Sequence, residues 1–310
     1  MSPATTTTIT DNNKNDDDDY IAKTLADLPT PAFVINRFAF SRNCQRLLDA
    51  AKQGKFCLRP HIKTHKALEG VEWQEYGTEG RYRRRRSSQS QQQQESSSSK
   101  DVADTDDNKT LIVRGFVAST IPEVKLLVNY LTSSHKAHSA STSQQSILFG
   151  LPISETKLPT LNILQERLQR NHDNSNMAPT IHILMDHVEQ IKMVERFCQA
   201  NNNDETASSR RNSWTVFVKL DTGYHRAGVP CEDAGGYAQA MALVTAIVQS
   251  PFLQLVGFYS HWYVLYCIFA FLELSVQDHF SVLSSKSFYL FLDTSVDPDD
   301  ACLSPYTLTV

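Results

Sequence analysis

The chain has no Cys-x-x-Cys pair: its six cysteines, Cys44, Cys57, Cys198, Cys231, Cys267 and Cys302, are scattered. That argues against a thiolate zinc site or a disulfide framework, and for a reducing, cytoplasmic setting. No Gly-x-Gly-x-x-Gly follows any strand-like run, which disfavours a dinucleotide fold. Charge is nearly balanced, with a net −4, so no global field gathers nucleic acid or anionic membrane. The opening "MSPATTTTITDNNKNDDDDY" has no apolar core and reads as a disordered acidic tail (1–20), not a secretory leader. Asp, Glu, Lys and Arg are absent from Ala234 to Leu272. A hydropathy scan would flag 251–272 as a membrane span. No basic residues flank it and its first part already reads as a strand, so no membrane helix is expected.

What is present is an alternation. "TPAFVIN" (30–36) reads as a strand, and "RFAFSRNCQRLLDAAKQ" (37–53) as a helix stopped by Gly54, with Phe40, Cys44, Leu47, Leu48 and Ala51 at helical spacing. A strand to about Thr64 and a helix over 65–77 follow. "LIVRGFVAS" (111–119) is a strand; the next helix (120–131) has Thr120 as N-cap, Pro122 in its first turn and Glu123 as capping-box acid. "SILFGLP", "TIHILMD", "WTVFVKLD" and "LQLVGFYSH" are further strands, each of the first three leading to an amphipathic helix, with Asp186 as one N-cap. Wholly apolar strands alternating with helices imply a parallel α/β sheet, either most of a (β/α)8 barrel or a doubly wound sheet. Polar stretches at 81–110, 132–146 and 201–213 read as surface insertions. The first contains "RYRRRR", a nuclear-localisation or RNA-binding pattern elsewhere. In a Ser/Gln tract without interleaved aromatics it reads as a solvated loop, so no nucleic-acid partner is expected.

Two strand ends carry chemistry. "LRPHIKTHKALEG" (58–70) sets His61, Lys63, His65 and Lys66 side by side. Cations are costly to bury, so this is either a solvated basic turn or a place where one lysine is kept reactive. At a barrel strand's C-terminal end, Lys63 would have a lowered pKa and act as a nucleophile towards an aldehyde. A metal pair from His61 and His65 is weaker, because Pro60 and Ile62 make the segment extended. "VFVKLDTGYHRAG" (216–228) offers Lys219, Asp221, Tyr224, His225 and Arg226. Tyr224 and Arg226 could flank a planar anionic ligand, or belong to an ordinary polar loop.

Together, "LRPHIKTHKALEG", "ASTIPEVKLL", "ILFGLPISETKLPTL", "IHILMDHVEQI", "VFVKLDTGYHRAG" and "LVGFYSH" resemble, in order and spacing, the eukaryotic D-serine dehydratases. These are alanine-racemase-like enzymes built on a barrel that binds pyridoxal phosphate, with D-threonine aldolases as near relatives. The resemblance covers about 28–261 and implies an incomplete (β/α)8 barrel. It implies that Lys63 forms the Schiff base with pyridoxal phosphate, supported by Arg59 and His61. It places Arg226 near the cofactor's phenolic oxygen, Tyr224 beside it, and His261 against the pyridine ring. The implied reaction converts D-serine to pyruvate and ammonia by loss of the Cα proton and the β-hydroxyl. A D-threonine-aldolase-type lyase and a non-catalytic cofactor-binding barrel are the alternatives. In the family a zinc ion assists hydroxide departure, and a homodimer lines the site.

After His261 the resemblance stops. Relatives continue with small and polar residues and a C-terminal β-domain carrying a His and a Cys zinc ligand. Here the chain reads "HWYVLYCIFAF", and Cys267, His279 and Cys302 do not reproduce that pattern, so no metal ligands are assigned. "WYV" can be encoded TGG-TAT-GTN, which contains the 5′ splice sequence GGTATGT. The expectation is that 262–310 is a translated intron, leaving a barrel short of two strands, with open edges and little activity.

Overall fold

The computed structural model describes residues 24–28, 30–32, 34–54, 56–79, 112–133, 145–170, 179–202, 213–223, 225–231, 233–261 and 289–293. The acidic tail, the "RYRRRR" stretch, Tyr224 and most of the three expected insertions lie outside them. The chain divides into two units, Met1–Arg37 and Phe38–Val310. In the first, a 3-10 turn at Leu25–Asp27 is pinned by the Thr24 amide and hydroxyl donating to Asp27. The strand expected over 30–36 does not form. Val34 and Ile35 are exposed, and no described strand takes up their backbone groups, without which β-branched residues make no sheet.

The second unit carries the alternation. Helix α1 is Arg37–Gly54, ending at the glycine that the sequence marks as its stop. Next comes a run from Leu58 to Ile62 that is less than the expected strand. It makes only isolated parallel bridges, Leu58 to Val113 and His61 to Val117. Pro60 lies between them and has no N–H to give the ladder. Helix α2 (Leu68–Tyr76) starts later than expected because a tight turn intervenes.

Strand β1 (Gly115–Ala118) leads to α3 (Ile121–Leu131). Strand β2 (Ser146–Pro152) leads to α4 (Leu158–Arg170), and β3 (Thr180–Met185) to α5 (Val188–Asn202). Strand β4 (Trp214–Asp221) and the two-residue β5 (Val229–Pro230) lead to α6 (Ala234–Gln249) and then β6 (Leu253–His261). A last strand, β7 (Tyr289–Asp293), pairs with β6 from Gly257–Tyr289 to His261–Asp293. The sequence shows no strand–helix rhythm in this stretch, but "YLFLD" is a short apolar run, and the outer edge of β6 offers it hydrogen-bond partners. The rest of 262–310 lies outside the described residues.

Among the described residues every strand pairing is parallel, and the main sheet runs β1-β2-β3-β4-β6-β7, with β5 on β4. Strands laid down one after another with helical crossovers are the winding of a barrel; a doubly wound sheet reverses its order midway. Two apolar layers agree with this. The larger packs helices onto the sheet's outer face, through rows such as Val124, Leu127, Val128 and Leu131 of α3 and Ala240, Leu243, Val244 and Ile247 of α6. Their i, i+3, i+4, i+7 spacing is one helical face. The smaller is an inner layer of Val117, Leu148, Leu184, Phe217 and Tyr259, one residue from each successive strand.

The caps show how the helices begin. Thr120 Oγ1 accepts the Glu123 amide at 3.4 Å, while Glu123 Oε2 accepts the amide of Ser119, one residue before the cap, at 2.8 Å. Asp233 Oδ1 accepts the Gly236 amide at 2.7 Å at the start of α6. At α5 the cap is His187, not Asp186: its Nδ1 accepts the Glu189 amide at 3.2 Å, and Gln190 Oε1 holds the His187 and Asp186 amides at 3.0 and 2.8 Å. A glutamine three residues on performs the reciprocal half of a capping box, so Asp186 is not required.

Candidate active site

Side chains alternate faces along a strand, so β4 turns Thr215, Phe217, Lys219 and Asp221 inward in order. Phe217 belongs to the inner apolar layer. Beyond it, at the C-terminal strand ends, lies a cavity of about 220 Å³ lined by His61, Lys63, Ser119, Gly150, Leu151, Lys219, Leu220, Asp221, Arg226 and Ala227. This is where parallel barrels keep their sites.

The basic cluster at 61–66 is sorted by one turn. The Lys66 amide donates to the Ile62 carbonyl at 2.9 Å, and Lys66 takes a left-handed φ of 48°. Lys63 thereby reaches the cavity. Lys66 points away, its side chain 59% exposed and 3.5 Å from Glu123. His65 is buried edge-on to Phe40, its Nδ1 accepting the Ala67 amide at 3.1 Å. Burial pushes its pKa below the usual imidazole value, against the opposing pull of Gln74, the Ala67 amide and Glu123. His61 Nδ1 accepts the Lys63 amide at 3.2 Å, and its Nε2 lies 3.1 Å from Ser119 Oγ. The two imidazoles therefore do not form a metal pair. Among the described residues no three His, Cys, Asp or Glu side chains converge as a metal site.

The opposite wall comes from β4 and its loop. Asp221 Oδ1 accepts the amides of Gly223 and His225 at 3.2 and 3.0 Å, and His225 adopts φ 52°. This carboxylate-bound turn carries Arg226 and Ala227 to the cavity mouth. Lys219 is only 7% exposed, with Nζ 6.0 Å from the centroid of the Tyr259 ring. His261 ends β6 in register with Asp221, which puts its backbone at the rim. Gly150 lines the cavity where β1 and β2 pack closely: a Cβ there would lie 2.6 Å from Val117 Cγ1 and 3.8 Å from His61 Nε2.

Arg59 does not line this cavity. It sits towards the N-terminal strand ends, its guanidinium 5.8 Å from the Phe217 centroid. It passes over Gly115, where φ is 154° and an added Cβ would lie 2.5 Å from its Nη1. The structure thus brings together His61, Lys63 and Arg226, sets Arg59 apart, and adds Ser119, Gly150, Lys219 and Asp221. The last two show in the sequence through the inward period of β4. Ser119 is signalled only by its place at a strand end, and Gly150 by nothing local.

The family model for the alanine racemase N-terminal domain matches residues 111–265, half of the chain. The chain belongs to that family. The matched segment begins after Lys63 and runs four residues past His261. Among curated relatives, the D-serine dehydratase of Schizosaccharomyces pombe is 27% identical over 244 residues, covering 78% of this chain and 44% of that protein. That of Saccharomyces cerevisiae is 24% identical, covering 78% and 46%. The chain spans less than half the length of these relatives. A solved D-threo-3-hydroxyaspartate dehydratase from Delftia sp. HT23 superposes at a TM-score of 0.46 with 19% identity, over 77% of this chain and 45% of that one. No helix among the described residues is long and apolar enough to cross a membrane.

Proposed function

We propose that residues 28–261 form the pyridoxal-phosphate-binding barrel of a D-serine dehydratase, which converts D-serine to pyruvate and ammonia. The observation that carries this is the Lys63 amine in a cavity with two further cations, Lys219 and Arg226, against one carboxylate, Asp221. The residues present fit the cofactor: a primary amine for its aldehyde and cations for its anionic oxygens. Zinc finds no such donor set among the described residues, and no step is derived through it.

When bound, pyridoxal phosphate supplies an electron sink that acidifies the Cα–H of an amino acid. Lys63 would hold the cofactor through its aldehyde, and its amine is placed to take the Cα proton of the substrate. His61 fixes the turn carrying Lys63 by accepting its amide. Arg226 would neutralise an anionic oxygen of the ligand, and the family resemblance assigns Tyr224 and His261 to the ring as well. The inner layer from Val117 to Tyr259 excludes water from below. A cytoplasmic setting, and the homodimer that the family resemblance implies, are part of the same proposal.

The test is borohydride reduction of the protein with pyridoxal phosphate, followed by peptide mapping. The tag is expected on Lys63 and absent from Lys63→Ala; a tag elsewhere, or one surviving that substitution, sinks the assignment. Pyruvate release from D-serine by this incomplete barrel is expected to be slight, and any that is detected assigns the dehydratase reaction. Acetaldehyde from D-threonine without pyruvate from D-serine would move the activity to the aldolase type.

A further inference from the structure

The ligand-binding role assigned so far rests on charged groups and one imidazole, and leaves Ser119 without a task. Its bonding pattern gives it one. The Lys63 amide donates to His61 Nδ1 at 3.2 Å. A ring nitrogen that accepts carries no proton, so the proton of this imidazole is on Nε2. Nε2 lies 3.1 Å from Ser119 Oγ and donates to it. The Ser119 amide is already committed to Glu123 Oε2 at 2.8 Å. The serine therefore accepts from His61 and keeps its own hydroxyl proton to give. Among the described residues no acceptor takes that proton, and Ser119 lines the cavity that Lys63, Lys219 and Arg226 make favourable to an anion.

We propose that Ser119 is a ligand-binding residue whose hydroxyl, oriented by His61, donates to an anionic oxygen of the bound molecule. The proposal rests on the reading that the cavity holds pyridoxal phosphate. The oxygen belongs either to the cofactor or to the carboxylate of the amino acid; both are anionic acceptors. Glu123 is the positioning residue. It is 3% exposed, holds the Ser119 amide, and lies 3.5 Å from Lys66 on the turn that carries Lys63. One carboxylate thus ties together the two chain segments whose side chains form the relay. Because Lys63 is the residue whose amide sets the tautomer, the turn that presents the amine also aims the hydroxyl.

The experiment compares wild type, Ser119→Ala and Ser119→Thr, the last keeping a hydroxyl. Each is titrated with pyridoxal phosphate by visible absorption and by borohydride fixation at Lys63. A hydrogen bond to a charged group predicts a loss of about ten- to a hundredfold in affinity for the alanine variant, with threonine close to wild type. That result assigns the oxygen to the cofactor. Equal cofactor affinity, with weaker D-serine binding to the loaded alanine variant but unchanged binding of serinol, which lacks the carboxylate, assigns it to the substrate. No difference among the three proteins with any of these ligands overturns the proposal. So does nitrogen NMR showing the His61 proton on Nδ1, a readout that needs no cofactor. Wild type that takes up no pyridoxal phosphate overturns the underlying reading instead. Inorganic phosphate titrated against the same three proteins then decides Ser119 alone: binding weakened in Ser119→Ala supports it, and equal or absent binding overturns it.

Discussion

The Arg59 guanidinium donates to both oxygens of Ser146, the carbonyl at 3.1 Å and the hydroxyl at 2.7 Å. These bonds tie the irregular 58–62 run to the first residue of β2, across β1. Arg59→Met keeps much of the stem but removes both donors. It is expected to cost about 1.5–3 kcal/mol, the range for hydrogen bonds involving a charged group, read as a lowered urea midpoint. A midpoint equal to wild type would show that the pair contributes nothing.

His182 gives a pH dependence. It is buried, with Nδ1 2.8 Å from Thr215 Oγ1 and its ring edge-on to Phe217. Burial, then the charge of Arg59, hold its pKa well below the ordinary 6.5. The folded state therefore keeps His182 neutral while the unfolded chain takes up a proton below about 6.5, so the stability this group contributes is fully present above that pH and lost as pH falls towards the folded pKa. The slope from this one group is up to about 1.4 kcal/mol per pH unit. His65, also depressed, adds to it with the same sign. Denaturation between neutral and mildly acidic pH should show a shallower slope for His182→Gln; an unchanged slope would place the sensitivity elsewhere.

Inside the outer core the Tyr130 hydroxyl donates to Glu75, whose other oxygen accepts Gln145 Nε2 at 3.0 Å. Burial and the neighbouring Glu75 carboxylate both push the Tyr130 pKa up, keeping it a donor. Tyr130→Phe leaves the ring packed against Phe116 but removes a donor from a buried acid. The expected cost is about 1–3 kcal/mol, seen in urea denaturation at neutral pH. Tyr130→Phe as stable as wild type would mean that Gln145 alone satisfies Glu75.

Gly150→Ala tests the shape of the cavity. The added Cβ would lie 2.6 Å from Val117 Cγ1, and Val117 is β-branched and locked in the inner layer. Overpacking of this kind costs about 1–3 kcal/mol, and the methyl stands on the cavity wall. Both a lower melting temperature and weaker uptake of pyridoxal phosphate are expected. Loss of stability with unchanged uptake would place the ligand away from β2.

Much of the fold is legible because it is periodic. The continuous apolar runs of β2, β4 and β6 and the three-four spacing of α3, α4 and α6 appear at their expected limits within a few residues. The failures are places where pairing decides and spacing does not. Residues 30–36 lean towards β structure but have no partner strand among the described residues, 58–62 loses its ladder at Pro60, and "YLFLD" becomes β7 only because β6 has an edge to offer. At the site, Lys63, His61 and Arg226 stood out through charge at strand ends. Arg59 carried the same charge signal, yet four residues earlier on an extended run it reaches a different layer. Ser119 and Gly150 carry no charge or pattern, and only the assembled strands show what they face.

Strand β6 has β4 on one side and β7 on the other. A strand has only two edges, so Tyr289–Asp293 occupies the position any other strand would need in order to continue the barrel from His261. Two such segments cannot hold it at once. A version of the protein with a different sequence beyond that histidine would lack this strand and would have to seat a segment of its own on that edge of β6.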